Sequence, residues 1–328
     1  MIERVFGQLP PWMRPRNPIL RYSLGFRATE QHTRHRYRRL AVFILLLILL
    51  VASGYLIGSA LSDESPLDKP VSQMLFETLF WPTFIVQVFL QIIAMGLTIN
   101  TVAEEKRRQT WDSVKTTAEG AALAMRARWS AVIFYRIRPF LIIILLVRVI
   151  LIAGILIDLT AFRGEYLNYL TGSITPDIPQ AAGVVLLALT MTSTLLLPIT
   201  AVGFDASIGL LVSTFVQQRT YVVLVQITLT VARLATIAFL LVAVTQFREG
   251  ALWPGTSGLI TWLLLFGFAV VSDWGLSLLY LGYYGAVVWA EVPYGIMLGV
   301  AMLTFVLVQA VLTDGIMALA IRRAERGE

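Results

Sequence analysis

The sequence predicts an all-α, polytopic membrane protein, and three observations carry that reading. Of the 328 residues, 57% are hydrophobic and only 14% charged, whereas a soluble domain of this size needs about a quarter charged to cover its surface. Apolar runs of about 18 residues or more recur along the chain, each long enough to cross a bilayer as a helix. The runs are solidly apolar rather than alternating. They are therefore helices and not barrel strands, because backbone groups in lipid must be satisfied within the span.

Residues 1–39 form a basic, amphipathic segment with nine arginines (Arg4, Arg14, Arg16, Arg21, Arg27, Arg34, Arg36, Arg38, Arg39) against Glu3 and Glu30. It is too long and polar for the start of a signal peptide, and too poor in serine for a transit peptide. The chain's two histidines, His32 and His35, lie here in an H-x-x-H spacing. With no third ligand nearby they read as solvated side chains rather than a metal site.

A single transmembrane domain is expected over 40–320. Its first span covers about 40–61, and a short acidic loop with Asp63, Glu64 and Asp68 follows. The second span covers about 76–99 and the third about 140–157, on either side of a charged stretch. The fourth, 181–216, carries Pro198 near its centre. As one helix it would reach about 54 Å, well past a hydrocarbon core of about 30 Å, and it reads as one kinked span projecting from the membrane. After Gln217, Gln218 and Arg219 comes a fifth span over about 221–244.

Orientation follows from the placement of basic residues in the loops. The 101–138 loop holds eight (Lys106, Arg107, Arg108, Lys115, Arg126, Arg128, Arg136, Arg138), whereas 63–75 has only Lys69 and 158–180 only Arg163. The N-terminal segment and the 101–138 loop are therefore expected in the cytoplasm, and the chain in the cytoplasmic membrane. Two apolar stretches remain, 259–285 and 294–320, before a basic cytoplasmic tail, 321–328. If both crossed fully, that tail would end outside. The first is interrupted by "SDWG", Ser272 to Gly275. A re-entrant or broken segment over 259–285 restores the count, giving six spans with both termini cytoplasmic.

The stretch from Ile99 to Ser130 has internal order. Glu104 and Arg108 stand i,i+4 in the favourable orientation, which continues a helix out of the membrane. Trp111, Val114 and Ala118 fall on one face. A tryptophan there needs a partner, either the headgroup boundary or a groove on another protein.

"AEEKRRQTWDSVKTTAEGAALAMRARW" resembles the cytoplasmic loop of the type-2 ABC exporter permeases, whose second span ends in a run of the form E-x-E-x-x-x-G/R-T-W/L-E/D. The matching positions are Glu104, Glu105, Lys106 to Arg108, Thr110, Trp111 and Asp112, then Thr116 and Thr117. "NPILRY", Asn17 to Tyr22, resembles the N-P-[IV]-L-x-R start that members place before their first span. "GLLVSTFVQQR", Gly209 to Arg219, resembles their G-L-L-x-S segment at the end of the fourth. Ser113, Val114 and Lys115 stand where leucines are usual, and Ala118 where a proline is common.

The resemblance implies a permease whose coupling helix rests on a separate cytoplasmic ATPase, with Glu104, Glu105, Arg107, Arg108, Thr110, Trp111 and Asp112 as docking residues. ATP and magnesium would sit on that partner, and none of the three lysines here lies in a phosphate-cradling G-x-x-x-x-G-K-[ST] loop. It also implies a second permease copy or homologue, making a dimer. No cofactor is expected in this chain, and no nucleic acid.

Charges deep within the apolar segments include Arg148, Asp205, Arg233 and Asp273. Such charges face a partner or a cavity, so they read either as a polar translocation path or as structural ion pairs. The absence of cysteine excludes thiolate metal sites and disulfides. No H-E-x-x-H and no serine–histidine set points to an intramembrane enzyme. The alternative to a transport subunit is a non-catalytic structural subunit of a larger membrane complex.

Overall fold

A computed structural model of the chain describes residues 10–14, 17–24, 71–107, 109, 111, 120–160, 176–216, 218–249, 258–273, 275–280 and 292–326, with isolated positions in 44–56 and 168–174. Regular structure is helical throughout, and there is no strand among the described residues. Five helical stretches are long and apolar enough to cross a membrane: Met74–Arg107, Arg138–Ile157, Gln180–Phe215, Thr220–Phe247 and Gly295–Arg326. The expected first span, 40–61, falls mostly outside the described residues.

The short helix α1, Pro18–Leu24, starts where its sequence says it should. Asn17 Oδ1 accepts the backbone N–H groups of Ile19 at 2.9 Å and Leu20 at 3.3 Å, and Pro18 occupies the first helical position, where no N–H is needed. Helix α2, Val71–Ile99, is followed directly by α3, Thr101–Arg107. Gln109, at φ 57°, turns the chain out of α3 in the left-handed conformation. Helix α4, Gly120–Ser130, then passes through a π-helical turn, Ala131–Arg136, into α5, Arg138–Thr160.

Helix α6, Gln180–Phe215, runs 36 residues without a break through Pro198, as its apolar run predicts. It is the axis of the fold, packed against α2 on one side and α10, Leu298–Arg326, on the other. Small residues let these backbones approach. A Cβ on Gly209 of α6 would strike Thr98 Oγ1 and come to 2.7 Å from the Met95 carbonyl of α2. One on Gly299 of α10 would strike Thr190 Oγ1 and come to 2.5 Å from the Leu186 carbonyl of α6. Helix α7, Arg219–Arg248, leans outward, with Leu224, Ile227, Val231 and Phe239 exposed.

Between α7 and α10 the apolar segment is broken, as "SDWG" predicts. Helix α8, Gly258–Val271, stops at Ser272, Asp273 takes φ 58°, and α9 occupies Gly275–Leu279. The Trp262 indole near the start of α8 donates to the Tyr294 carbonyl just before α10, at 3.3 Å. Beyond α9, the Tyr280 ring stacks on Phe76 at the start of α2, centroids 4.6 Å apart. A core of Phe76, Phe80, Leu265, Phe268, Leu276, Leu278 and Met302 fills the space between these pieces.

Helix α10 continues beyond its apolar run to Arg326. Its last turns are apolar on one face, and Ala320, Ile321 and Ala324 are buried against Val102, Trp111, Met125 and Leu210.

Candidate functional site

The charged stretch between α2 and α5 is built from side chains that face inward as well as outward. Glu105 is buried and takes a 2.6 Å ion pair from Arg128 of α4. Arg128 also donates to the Thr101 carbonyl at 3.0 Å, so one guanidinium fastens α4 to α3. Burial pushes the Arg128 pKa below its ordinary value, and the charge and hydrogen bond of Glu105 oppose that shift. Glu104, by contrast, is exposed and pairs at 2.7 Å with Arg107, one position short of the Arg108 its spacing suggested. Arg108, Thr110, Asp112, Val114 and Ala118 lie outside the described residues.

Trp111 is 2% exposed. It packs among Val102, Ala121, Met125, Leu210, Met317 and Ile321. Its indole N–H donates to the Ala324 carbonyl at 3.3 Å, one of the last-turn carbonyls that α10 itself cannot satisfy. The partner that its apolar face required is thus the chain's own last helix. Nearby, the Arg323 guanidinium lies 3.8 Å from the Phe215 ring centroid, joining the ends of α10 and α6. The Trp129 indole donates to the Gly203 carbonyl of α6 at 2.9 Å.

Arg148, Asp205, Arg233 and Asp273 form two pairs. Asp205 of α6 accepts both η-nitrogens of Arg233 of α7, each at 2.7 Å. Arg148 of α5 pairs with Asp273 in the break between α8 and α9, and its second η-nitrogen donates to the Thr194 carbonyl of α6. That acceptor is available for a local reason. Pro198 has no N–H, so the carbonyl four residues earlier, Thr194, loses its helical donor. One proline thereby prepares the seat into which Arg148 docks. Pro82 does the same in α2, leaving the Thr78 carbonyl free, and Gly54 lies so close to it that a Cβ could not fit.

A buried polar seam on α2, Thr83, Gln87 and Gln91 at i, i+4 and i+8, was not singled out from the sequence. Its signal was there as helical spacing within an apolar run. The Gln87 amide, Ser272 Oγ and Asp273 Oδ1 are buried without a hydrogen-bond partner among the described residues. Among the described residues no three of His, Cys, Asp and Glu gather as a metal site would require.

No family model, curated protein or solved structure matches this chain. What the geometry offers is mechanical. Trp111 is fastened to the ends of α6 and α10, and two ion pairs tie α5, α6, α7 and the broken segment together.

Proposed function

We propose that the chain is the membrane-spanning half of an ATP-driven exporter, moved by a separate P-loop ATPase docked on the 104–118 stretch and working beside a second permease copy or homologue. ATP and magnesium sit on the ATPase. Both ends of the chain lie in the cytoplasm, six helices cross the membrane, and α8–α9 is re-entrant. The observation that supports this reading is the seating of Glu105 and Trp111. Trp111 and the Glu105–Arg128 pair join α3, α4, α6 and α10, so force applied there passes into the two most closely packed long helices. The docking surface falls to the exposed Glu104 and Arg107, while Trp111 and Glu105 hold the platform from behind.

The test is purification of the tagged chain in mild detergent with mass spectrometry of what accompanies it. A Glu104→Arg/Arg107→Glu exchange inverts the surface pattern while keeping an intrahelical pair, and its melting temperature should stay within a few degrees of the native value. A P-loop ATPase recovered with the native chain and lost with this variant is the expected result. Recovery with other membrane subunits and no ATPase would establish the structural-subunit reading instead.

A further inference from the structure

The charge on the face formed by α1, α4 and the π-helical turn is one-sided. The Leu20 side chain is fully buried against Ala127 and Ala131. The Tyr135 hydroxyl donates to the Met13 carbonyl at 3.1 Å and Ser130 Oγ to the Trp12 carbonyl at 3.4 Å, so residues 10–24 are fastened along the approach to α5. Neither 10–24 nor 120–157 contains an aspartate or glutamate. Of the arginines in these two segments, Arg128 and Arg148 are spent on Glu105 and Asp273. Arg21, Arg126 and Arg138 are exposed.

The location of this face decides what it meets. Arg138 is the first residue of a helix whose next nineteen residues are apolar but for a few, among them the buried Arg148, which puts its guanidinium at headgroup level. Arg21 adjoins Leu20, which packs on Ala127 beside Arg126, and Tyr22 is 61% exposed. An aromatic ring and several cations at the mouth of a span fit the boundary where phosphate and acyl chain meet.

We propose that this face binds the headgroups of anionic phospholipids, with Arg21, Arg126 and Arg138 supplying the charge from three separate elements. Because α4 and α1 rest on one another there, the bound lipid also clamps the N-terminal segment against the base of α5. The proposal is independent of any exporter role.

The test compares binding of dioleoyl-phosphatidylglycerol and dioleoyl-phosphatidylcholine to the detergent-purified full chain by native mass spectrometry. The native protein should prefer the anionic lipid by tenfold or more, since each juxtamembrane arginine contributes about fivefold. An Arg21→Gln/Arg126→Gln/Arg138→Gln variant should bring the two lipids within about twofold, whereas the matching lysine variant should keep most of the preference. Should the glutamine variant fail to fold, the native preference must still fall steeply from low to high salt. Equal binding of the two lipids by the native chain overturns the proposal, as does a preference that survives the glutamine variant or high salt. Displacement of the lipid by soluble polyglutamate of equal affinity would overturn it too, by assigning the face to an acidic protein.

Discussion

Asp205 and Arg233 make a pair in which the two members stand in unequal surroundings. The Asp205 side chain is 3% exposed and that of Arg233 25%. Removing the cation leaves a carboxylate buried with no counter-charge, whereas removing the anion leaves a long side chain that can reach toward the headgroups. Arg233→Leu should therefore lower stability by about 3 kcal/mol and Asp205→Asn by about 1 kcal/mol. The Asp205→Leu/Arg233→Leu double variant should recover most of the larger loss. Thermal unfolding of the four proteins in one detergent checks this. Equal losses for the two single variants would show that burial does not set the energetics of the pair. The sequence located these charges but could not pair them, because Arg148 and Asp273 stand 125 positions apart. The Thr194 seat was closer to legible, since any proline inside a helix frees the carbonyl four residues earlier. Trp111 was read as needing the headgroup boundary or another protein, and it is covered by α10 instead. Periodicity tells that a face is apolar and is silent on which surface covers it.

Among the described elements, the long apolar runs were legible as helices. The 36 residues of α6 and the break at Ser272 follow from composition and from two or three polar residues. What the runs do not encode is their neighbours, and there the glycines discriminate. Gly209 and Gly299 sit where α6 meets α2 and α10, with backbone carbonyls at 2.7 and 2.5 Å from any added Cβ. A backbone contact cannot swing aside as a side-chain tip can. Gly209→Ala and Gly299→Ala should each destabilise by about 1–3 kcal/mol through forced separation of the helices. Gly154 and Gly315 lie in helices of the same length class, and nothing stands within 4 Å of a Cβ at either. Alanine there should be neutral or stabilising by up to about 1 kcal/mol, because glycine is a poor helix former. The contrast, measured as melting temperatures of the four alanine variants, isolates close approach from helix propensity. Similar shifts in all four would mean that propensity alone governs.

For the whole molecule, the parity of crossings between α7 and α10 fixes where every later residue lies. The Trp262–Tyr294 hydrogen bond brings the start of α8 to the start of α10. The Tyr280–Phe76 stack returns the end of the broken segment to the beginning of α2. A segment that enters and leaves at one end of the bundle crosses nothing. A fully spanning 259–285 would instead place Glu249 and Tyr294 on opposite sides. The chain contains no cysteine, so each introduced thiol is the only one to react. Glu249→Cys and Tyr294→Cys, both at exposed positions, should be labelled alike by an impermeant maleimide on intact cells. Gln218→Cys and Arg322→Cys, exposed at the opposite ends of α7 and α10, should react only after the membrane is opened if, as proposed, the basic loops face the cytoplasm. Labelling of Glu249→Cys and Tyr294→Cys from opposite sides would mean that the broken segment crosses. The ends of α6 and α10 could not then share one face with Trp111, and the lever on which the proposed coupling depends would be lost.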